Sequence, residues 1–429
     1  MTTNEIPVAA AARRDAPPVA PTALAKGWSR GTHRAVPPEE TLARVRPLMP
    51  ALGITRVADV TGLDCIGVPV AMAYRPNARS LVVSPGKGLD LVAAKTSAVM
   101  ESIEGWHAER IHRPLLLASR AELRFDHRLV DVDGLPRCSA AGLPEGLRVL
   151  WIEGRDLLAD AAAWLPFEVV HTNFTLPLPP RSGALLASSN GLASGNRLPE
   201  AVSHAVCELV ERDATTLWHA RDQRGRRSTR VDLATVDDPA CADVLARFDR
   251  AQVAAAVWEI TSDVGIPAFR CLIVDRSPSP LRPHLPGLGA GCHPSRAIAL
   301  LRALTEAAQT RLTLITGARD DLGAANYAAS NDRAAHARLL GVAAGGPPGR
   351  SFRDAPTFEA ATFDEDLAWE LARLGAAGIR EVVTVDLSKP GLGIPVARVV
   401  IPGLEGIHEA PGYRAGPRYQ RALSGRRGR

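Results

Sequence analysis

The run LPEAVSHAVCELVERD, from Leu198 to Asp213, combines two patterns of side chains in one segment. On a helix that turns about 100° per residue, four of its polar residues fall within about 80° of one another. These are Glu200, His204, Glu208 and Glu211. Valine, alanine and leucine at positions 202, 205, 206, 209 and 210 cover the opposite side. The pattern predicts a helix over 198–220 with one packed face and one acidic face.

Two further predicted helices carry a polar stripe of the same kind. Helix 91–110 places Ser97, Glu101 and Glu104 on one face. Helix 294–317 places Arg302, Glu306 and Gln309 on one face, with Arg311 nearby. Each helix follows a glycine-rich run that we interpret as a turn. The three runs are GKG at 86–88, SSNGLASG at 188–195 and GLGAGCH at 287–293.

Three segments share the same arrangement, a glycine-rich run followed by a helix with an acidic or mixed polar face. This repetition predicts a shared binding site. Converging carboxylates would repel one another unless divalent cations lay between them, and Mg²⁺ prefers oxygen ligands and commonly bridges to nucleotide phosphates. Glycine turns ahead of helices let backbone N–H groups approach a phosphate, which arginines also bind. A single acidic stripe is more often a solvated face, but the repeated plan favours a magnesium–nucleotide site. No GxxxxGK[ST] run is present, so the site would not be of the Walker type.

Composition argues against several other classes of protein. The chain has 429 residues, 46% of them hydrophobic, and a net charge of +5. No basic stripe is interleaved with aromatic residues, so no binding of nucleic acid is expected. No apolar run approaches the length of a membrane-spanning helix. The six cysteines form no C-x-x-C pair, which is typical of reduced thiols in a cytoplasmic protein.

The order of predicted elements indicates an α+β protein with mixed sheets rather than a strict βαβ succession. Besides the three long helices we expect helices at 37–46 and 363–376, and a mobile surface loop at 318–350. Strands are predicted at 55–60, 66–74, 79–84, 255–260, 267–274 and 381–386. We expect residues 1–30 to be a disordered leader and 31–75 an N-terminal segment that leads into the core. Residues 76–429 would then form the catalytic domain, with a basic C-terminal tail rich in proline and glycine.

Three motifs in this order resemble those of YcaO-domain proteins. They are AKTSAVMESIE at 94–104, LPEAVSHAVCELVERD at 198–213, and RALTEAAQTR at 302–311 followed by RDD at 319–321. The resemblance extends from about Gly31 to Gly412. It implies a YcaO-type fold in which glutamate-bearing helices form a non-Walker site for ATP and Mg²⁺, next to a channel for a peptide.

The resemblance also implies roles for individual residues. Metal ligands would be Glu101, Glu104, Glu200, Glu208 and Glu211. Nucleotide contacts would come from Arg34, Thr41, Lys87, Ser97, Asn190, Arg212, Gln309 and Arg311, and the catalytic set would be Glu208, Glu211 and Arg311. One departure puts a contact in doubt, because the first motif ends Glu104-Gly105 where the family usually has Glu-Arg.

The N-terminal stretches at 31–41, 53–64 and 75–80 resemble the TfuA-associated branch of the family. That branch is linked to thioamide formation in peptide backbones. The resemblance therefore implies a TfuA-like partner, a precursor peptide or protein as substrate, and a sulfide donor. The sequence leaves a homodimer open.

Two alternatives remain at this point. Azoline-forming relatives, which cyclise Cys, Ser or Thr of a precursor peptide, typically end in Pro-x-Pro-x-Pro. This chain instead carries HEAPGYRAGPR at 408–418 and a basic extension. The second alternative is a non-catalytic YcaO scaffold that binds a peptide or a partner.

Overall fold

The computed structural model describes residues 24–178, 181–277, 285–328 and 332–424. The helices are α1 (Pro38–Val45), α2 (Leu91–Ala108), α3 (Arg120–Leu123), α4 (Leu198–Ala220), α5 (Gln223–Arg227), α6 (Pro239–Arg250), α7 (Arg296–Thr316), α8 (Ala324–Ala328), α9 (Arg333–Ala344), α10 (Phe363–Ala376) and α11 (Pro417–Ser424). The strands are β1 (Arg56–Asp59), β2 (Val70–Tyr74), β3 (Val83–Lys87), β4 (Leu115–Ala118), β5 (Val149–Asp156), β6 (Ala161–Pro166), β7 (Leu192–Ser194), β8 (Val231–Asp232), β9 (Val253–Glu259), β10 (Ala268–Asp275), β11 (Gly287–Cys292), β12 (Arg350–Ser351), β13 (Val383–Asp386) and β14 (Val396–Val400).

Antiparallel sheets and long helices share the chain, which confirms the α+β class. The largest sheet has the order β4-β5-β13-β14-β7, with β6 also paired to β5. Two three-stranded sheets have the orders β1-β2-β3 and β11-β10-β9. The short strands β8 and β12 form a parallel pair. Because β2 pairs with both β1 and β3, one sheet contains strands from both sides of the predicted boundary at 75/76.

The three helices with polar stripes lie between these sheets. Helix α2 packs on β2, β3 and β7, helix α4 on β14, β7 and β11, and helix α7 on β11 and β10. Local sequence sets their ends. Asp90 caps α2 by accepting from Ala93 N at 2.8 Å, and α7 ends at Gly317, which has a φ of 58°.

Glycines allow α7 to lie directly on β11. A Cβ at Gly287, Gly289 or Gly291 would lie 2.1–2.2 Å from a backbone oxygen of α7. Gly86 of β3 approaches α2 in the same way, since a Cβ there would lie 2.1 Å from Ala98 N. The prediction that GKG and GLGAGCH are turns was therefore wrong. These glycines lie mainly in strands, and they permit close packing of helix on strand.

Two other expectations were corrected. Residues 24–30 belong to the folded structure, because Ala25 pairs with Thr362 and Lys26 Nζ lies 2.6 Å from Asp366 Oδ2. The rest of the predicted leader, residues 1–23, lies outside the described residues. The predicted loop 318–350 contains α8 and α9. The helices expected at 37–46, 91–110, 198–220, 294–317 and 363–376 are confirmed as α1, α2, α4, α7 and α10.

Among the described residues, the helices are all too short or too polar to cross a membrane.

Candidate functional site

Helices α2, α4 and α7 bring their acidic residues together into one cluster, hereafter the glutamate cluster. Its members are Glu101 and Glu104 from α2, Glu208 and Glu211 from α4, and Glu306 from α7. Their carboxylates lie close enough to affect one another's ionisation. The face of each helix opposite the cluster packs into apolar cores, as the sequence pattern predicted.

Burial and mutual repulsion make the ionised forms of these carboxyl groups costly. Burial raises the pKa of Glu104 to about 7, even though Ser194 donates to Glu104 Oε1 from its backbone N at 2.8 Å and its Oγ at 2.6 Å. Glu101 keeps an exposed surface, yet the protein packed around its carboxyl and the Glu104 carboxylate raise its pKa to about 8. Burial also raises the pKa of Glu208 and of Glu211.

These properties fit a divalent cation. The cluster offers carboxylate oxygens, which are the ligands that Mg²⁺ prefers. A bound cation would favour the ionised forms and offset both the repulsion and the lost hydration. Glu101, Glu104, Glu208 and Glu211 are the residues that could hold it.

Among the described residues, two cations form ion pairs with carboxylates of the cluster. Lys87 Nζ lies 2.8 Å from Glu306 Oε2. Arg212 reaches Glu208 Oε1 only at 3.9 Å and Glu211 Oε1 at 3.8 Å. Although burial alone would raise the pKa of Glu306, Lys87 and Arg212 lower it. The predicted nucleotide contacts Lys87 and Arg212 therefore do lie at the site.

Glu200 belongs to a different network at the start of α4. Its Oε1 accepts from Arg34 Nη1 at 3.2 Å, and its Oε2 accepts from the backbone N of Ala35 and of Asn196, each at 3.2 Å. Thr41 Oγ1 donates to Asn196 Oδ1 at 2.9 Å. Glu200, Arg34 and Thr41 thus come together and fix segment 31–41 to α4. A metal role for Glu200 stays a prediction.

The structure does not bring Arg311 to the cluster. Five residues along a helix rotate a side chain by about 500°, so Arg311 points about 140° away from Glu306. Its Nη1 instead donates to Asp275 Oδ2 at 3.1 Å and to the Leu285 carbonyl at 3.0 Å, and its Nε lies 3.5 Å from Asp64. These contacts place Arg311 away from the glutamate cluster, and its catalytic and nucleotide-binding roles stay predictions.

The remaining predicted contacts are placed as follows. Ser97 lies one turn before Glu101 on α2, and Gln309 is buried one turn after Glu306 on α7. Asn190 precedes β7, and its buried Oδ1 accepts from no donor in the part of the chain that the structure describes. Their roles as nucleotide contacts stay predictions.

Gly105 has a structural explanation. A Cβ at this position would lie 3.1 Å from Arg75 Nη2, so a guanidinium already occupies the space beside it. Arg75 is buried and donates from both terminal nitrogens to Glu109 at 2.5 Å. The guanidinium beside Gly105 therefore comes from a neighbouring segment of this chain and is held by Glu109.

A pocket of about 210 Å³ adjoins the cluster at Arg212 and Glu306. Its other lining residues are Thr215, Thr216, Arg270, Leu288, Gly289, Ala290, Thr310, Ile407, His408 and Glu409. His219, His408 and Glu409 could place three ligand atoms within 4.8 Å of one another. We assign no metal there: the two imidazole rings lie 4.2 Å apart at an interplanar angle of 32°, and Glu409 is exposed.

Two residues of the site were missed from the sequence. Glu306 was placed on a polar stripe without a role, and Ser194, which donates to Glu104, was not identified. Glu306 could have been identified from its position on the same face as Arg302 and Gln309. Ser194 gives no comparable signal, because its contact with Glu104 depends on the packing of β7 against α2.

Comparison with known proteins gives the family of this chain. The profile of a family described as "YcaO cyclodehydratase, ATP-ad Mg2+-binding" matches residues 85–405. The chain belongs to the YcaO family. The family description names the two cofactors expected from the sequence, ATP and Mg²⁺.

Relatives support the same placement. An uncharacterized protein in the tfuA 3' region of Rhizobium leguminosarum bv. trifolii is 38% identical over 379 residues, covering 87% of this chain and 88% of the relative. This similarity confirms the resemblance to the TfuA-associated branch of the YcaO family.

Solved structures show the same fold. YcaO from Methanopyrus kandleri bound with AMPPCP and Mg²⁺ has a TM-score of 0.72 at 22% identity, covering 92% of this chain and 99% of that one. A heterocyclase in complex with substrate and cofactor has a TM-score of 0.74 at 24% identity. The match covers 90% of this chain but only 54% of the heterocyclase.

Proposed function

We propose that this YcaO protein uses Mg-ATP to phosphorylate the oxygen of a backbone amide in a peptide or protein. With a TfuA-like partner and a sulfide donor, the product would be a thioamide. The observation that carries the proposal is the glutamate cluster, in which partly desolvated carboxylates from α2 and α4 face one another with raised pKa values. The branch rests on the relative in the tfuA 3' region.

The carboxylates of the cluster and the two cations that pair with them have these places in the proposal. Glu101, Glu104, Glu208 and Glu211 would hold Mg²⁺, which supplies charge neutralisation on the phosphates. Lys87 and Arg212 would donate to phosphate oxygens, because among the described residues they form the ion pairs of the cluster. The adjoining pocket would hold the amide of the substrate, since Arg212 and Glu306 line both spaces.

The proposed reaction needs no nucleophilic side chain from the enzyme. The sulfur of hydrogen sulfide forms a bond to the amide carbon, and the amide oxygen leaves as phosphate after accepting the terminal phosphoryl group. The products are a thioamide, ADP and phosphate. Catalysis would then come mainly from positioning and from electrostatic stabilisation by fixed charges.

Cyclodehydration of Cys, Ser or Thr is the second candidate, and the family description favours it. The test is the mass of a precursor peptide after incubation with the chain, a TfuA-like protein, Mg-ATP and sulfide. Thioamide formation predicts a product heavier by the difference between sulfur and oxygen. A product lighter by one water would instead support azoline formation.

Nucleotide binding distinguishes the third hypothesis, a scaffold without turnover, from the two enzyme hypotheses. Calorimetric titration with Mg-ATP should detect binding to the wild-type chain. A chain that binds the peptide or the partner but no Mg-ATP at millimolar concentration would be a scaffold.

A further inference from the structure

Arg398 occupies the middle of β14, a strand whose other residues are all apolar and buried. The residue is only 3% exposed. Within the described residues, its Nε and Nη1 have no hydrogen-bond partner, and no carboxylate lies within ion-pair distance of it. A buried charge without a partner is strongly unfavourable, so this arginine needs an explanation.

Other buried arginines of this chain show what a structural role looks like. Arg75 donates twice to Glu109 at 2.5 Å. Arg418, which is 5% exposed, donates to both oxygens of Asp213 at 2.8–2.9 Å. Arg398 lacks any such contact in the described chain, although it is equally buried.

Strand register places Arg398 beside the glutamate cluster. It pairs with Leu192 of β7. On one side of Leu192, Gly191 N lies 3.4 Å from Glu208 Oε2, and on the other side Ser194 N donates to Glu104 Oε1 at 2.8 Å. Arg398 is therefore opposite the short strand that contacts a carboxylate from α4 and a carboxylate from α2.

The electrostatics agree with this position. Burial lowers the pKa of Arg398 to about 10, and Glu208 is the charged group that opposes the shift. The positive charge of Arg398 also contributes, after burial, to the lowered pKa of His171. The guanidinium therefore lies within electrostatic range of Glu208 without forming an ion pair with it. Its free donors and the free Oδ1 of Asn190, two residues before Leu192, belong to this same region.

We propose that Arg398 is a phosphate-binding residue of this site and donates to a phosphate oxygen of the nucleotide held at the glutamate cluster. The inference rests on the proposed function, which places a nucleotide there. A guanidinium suits this role because its fork of N–H donors matches phosphate oxygens. The unpaired buried charge is then a cost of the free protein that the bound anion offsets.

Replacement of Arg398 gives a two-part test. In Arg398→Met an apolar side chain of similar length replaces the unpaired charge, so the melting temperature without nucleotide should stay equal or rise. The affinity for Mg-AMPPCP, measured by calorimetry, should fall by about tenfold or more, which is the worth of one charge-assisted hydrogen bond. Arg398→Lys, which keeps the charge but not the fork, should lose less affinity.

The matched control is Arg418→Met, which removes an equally buried but paired arginine. It should lower the melting temperature and leave the affinity for Mg-AMPPCP unchanged. If Arg398→Met and Arg398→Lys bind Mg-AMPPCP as the wild type does, Arg398 does not bind phosphate and the inference is overturned. If the wild type itself does not bind Mg-AMPPCP, the proposed function fails first.

Discussion

Helix α4 carries two sets of buried or half-buried acids that the protein treats in opposite ways. Asp213 is fully buried and saturated, since it accepts from Arg418 Nε at 2.9 Å, Arg418 Nη2 at 2.8 Å and Glu405 N at 2.9 Å. Glu208 and Glu211, within five residues of it, have Arg212 only at 3.8–3.9 Å. One acid is neutralised by the protein, whereas the only arginine paired with the others in the described chain lies beyond hydrogen-bond distance.

This contrast separates a structural acid from a functional one more reliably than acidity alone. A structural carboxylate stabilises the fold through its own partners, so its loss exposes an unpaired partner. A functional carboxylate is held at a cost that only the bound ligand offsets. The predictions below compare the two sets on the same helix.

The largest expected effect is the loss of nucleotide binding in Glu208→Ala. The affinity for Mg-ATP should fall by at least about a hundredfold, because even outer-shell partners of metal ligands are worth about 10- to 100-fold. The melting temperature without ligand should not fall, since one of several repelling carboxylates is removed. Calorimetry and thermal unfolding of the same preparation measure both. Unchanged affinity would show that Glu208 holds no metal.

The opposite result is expected for Asp213→Ala. This change removes the buried carboxylate of Arg418 and leaves it only the exposed carboxylate of Asp263, so the free energy of unfolding should fall by up to about 3–5 kcal/mol. Affinity for Mg-ATP should remain close to that of the wild type at a temperature where the variant is folded. Urea unfolding monitored by circular dichroism gives the stability. A loss no larger than the ~1 kcal/mol of an exposed ion pair would contradict the structural role.

A smaller effect is expected when the packing under α7 is disturbed. In Gly289→Ala the new Cβ would meet Ala303 O at 2.2 Å, and overpacking of this kind costs about 1–3 kcal/mol. Gly323→Ala is the matched control, because a Cβ there meets nothing within 4 Å. Equal stabilities of the two variants in urea unfolding would show that β11 and α7 are not in direct backbone contact.

The smallest effect concerns pH in the absence of ligand. Glu104 and Glu101 have pKa values raised to about 7 and about 8, so their stabilising contribution is complete below the ordinary value of 4.5 and is lost as pH rises through 7 to 8. The buried histidines, whose pKa values are lowered from 6.5, add no further change above pH 6.5. The melting temperature should therefore fall between pH 6.5 and 8.5.

Saturating Mg-ATP should reduce this fall, because a bound cation favours the ionised carboxylates. Glu104→Gln should also show a shallower fall, since it cannot ionise. A melting temperature that is flat over this range in the free wild type would contradict the raised pKa values.

Much of the fold and part of the site could be predicted from the sequence. The long helices have a strong 3.6-residue pattern, so α2, α4 and α7 and the faces of their glutamates were predicted correctly. The glycine runs GKG and GLGAGCH were misread because glycine suits both a turn and the close approach of a strand to a helix, and only the packing partner distinguishes them. Arg311 was assigned from the resemblance to a family motif, and a motif does not show that its side chain lies on a different face of α7 from Glu306.

The rest depends on contacts between distant segments. Arg398 appears in the sequence as a single cation in an apolar strand, which is a signal that could have been noticed. Its proximity to Glu208 follows only from the pairing of β14 with β7. The contact of Lys87 with Glu306 likewise joins two elements more than two hundred residues apart.

Titration of the wild-type chain with ATP, once in Mg²⁺ and once in EDTA, tests the central claim most directly. If the glutamate cluster holds a magnesium–nucleotide complex, calorimetry should show saturable binding in Mg²⁺ and little binding in EDTA. Binding that is equally strong in EDTA, or absent in both conditions at millimolar ATP, would contradict the assignment of this cluster.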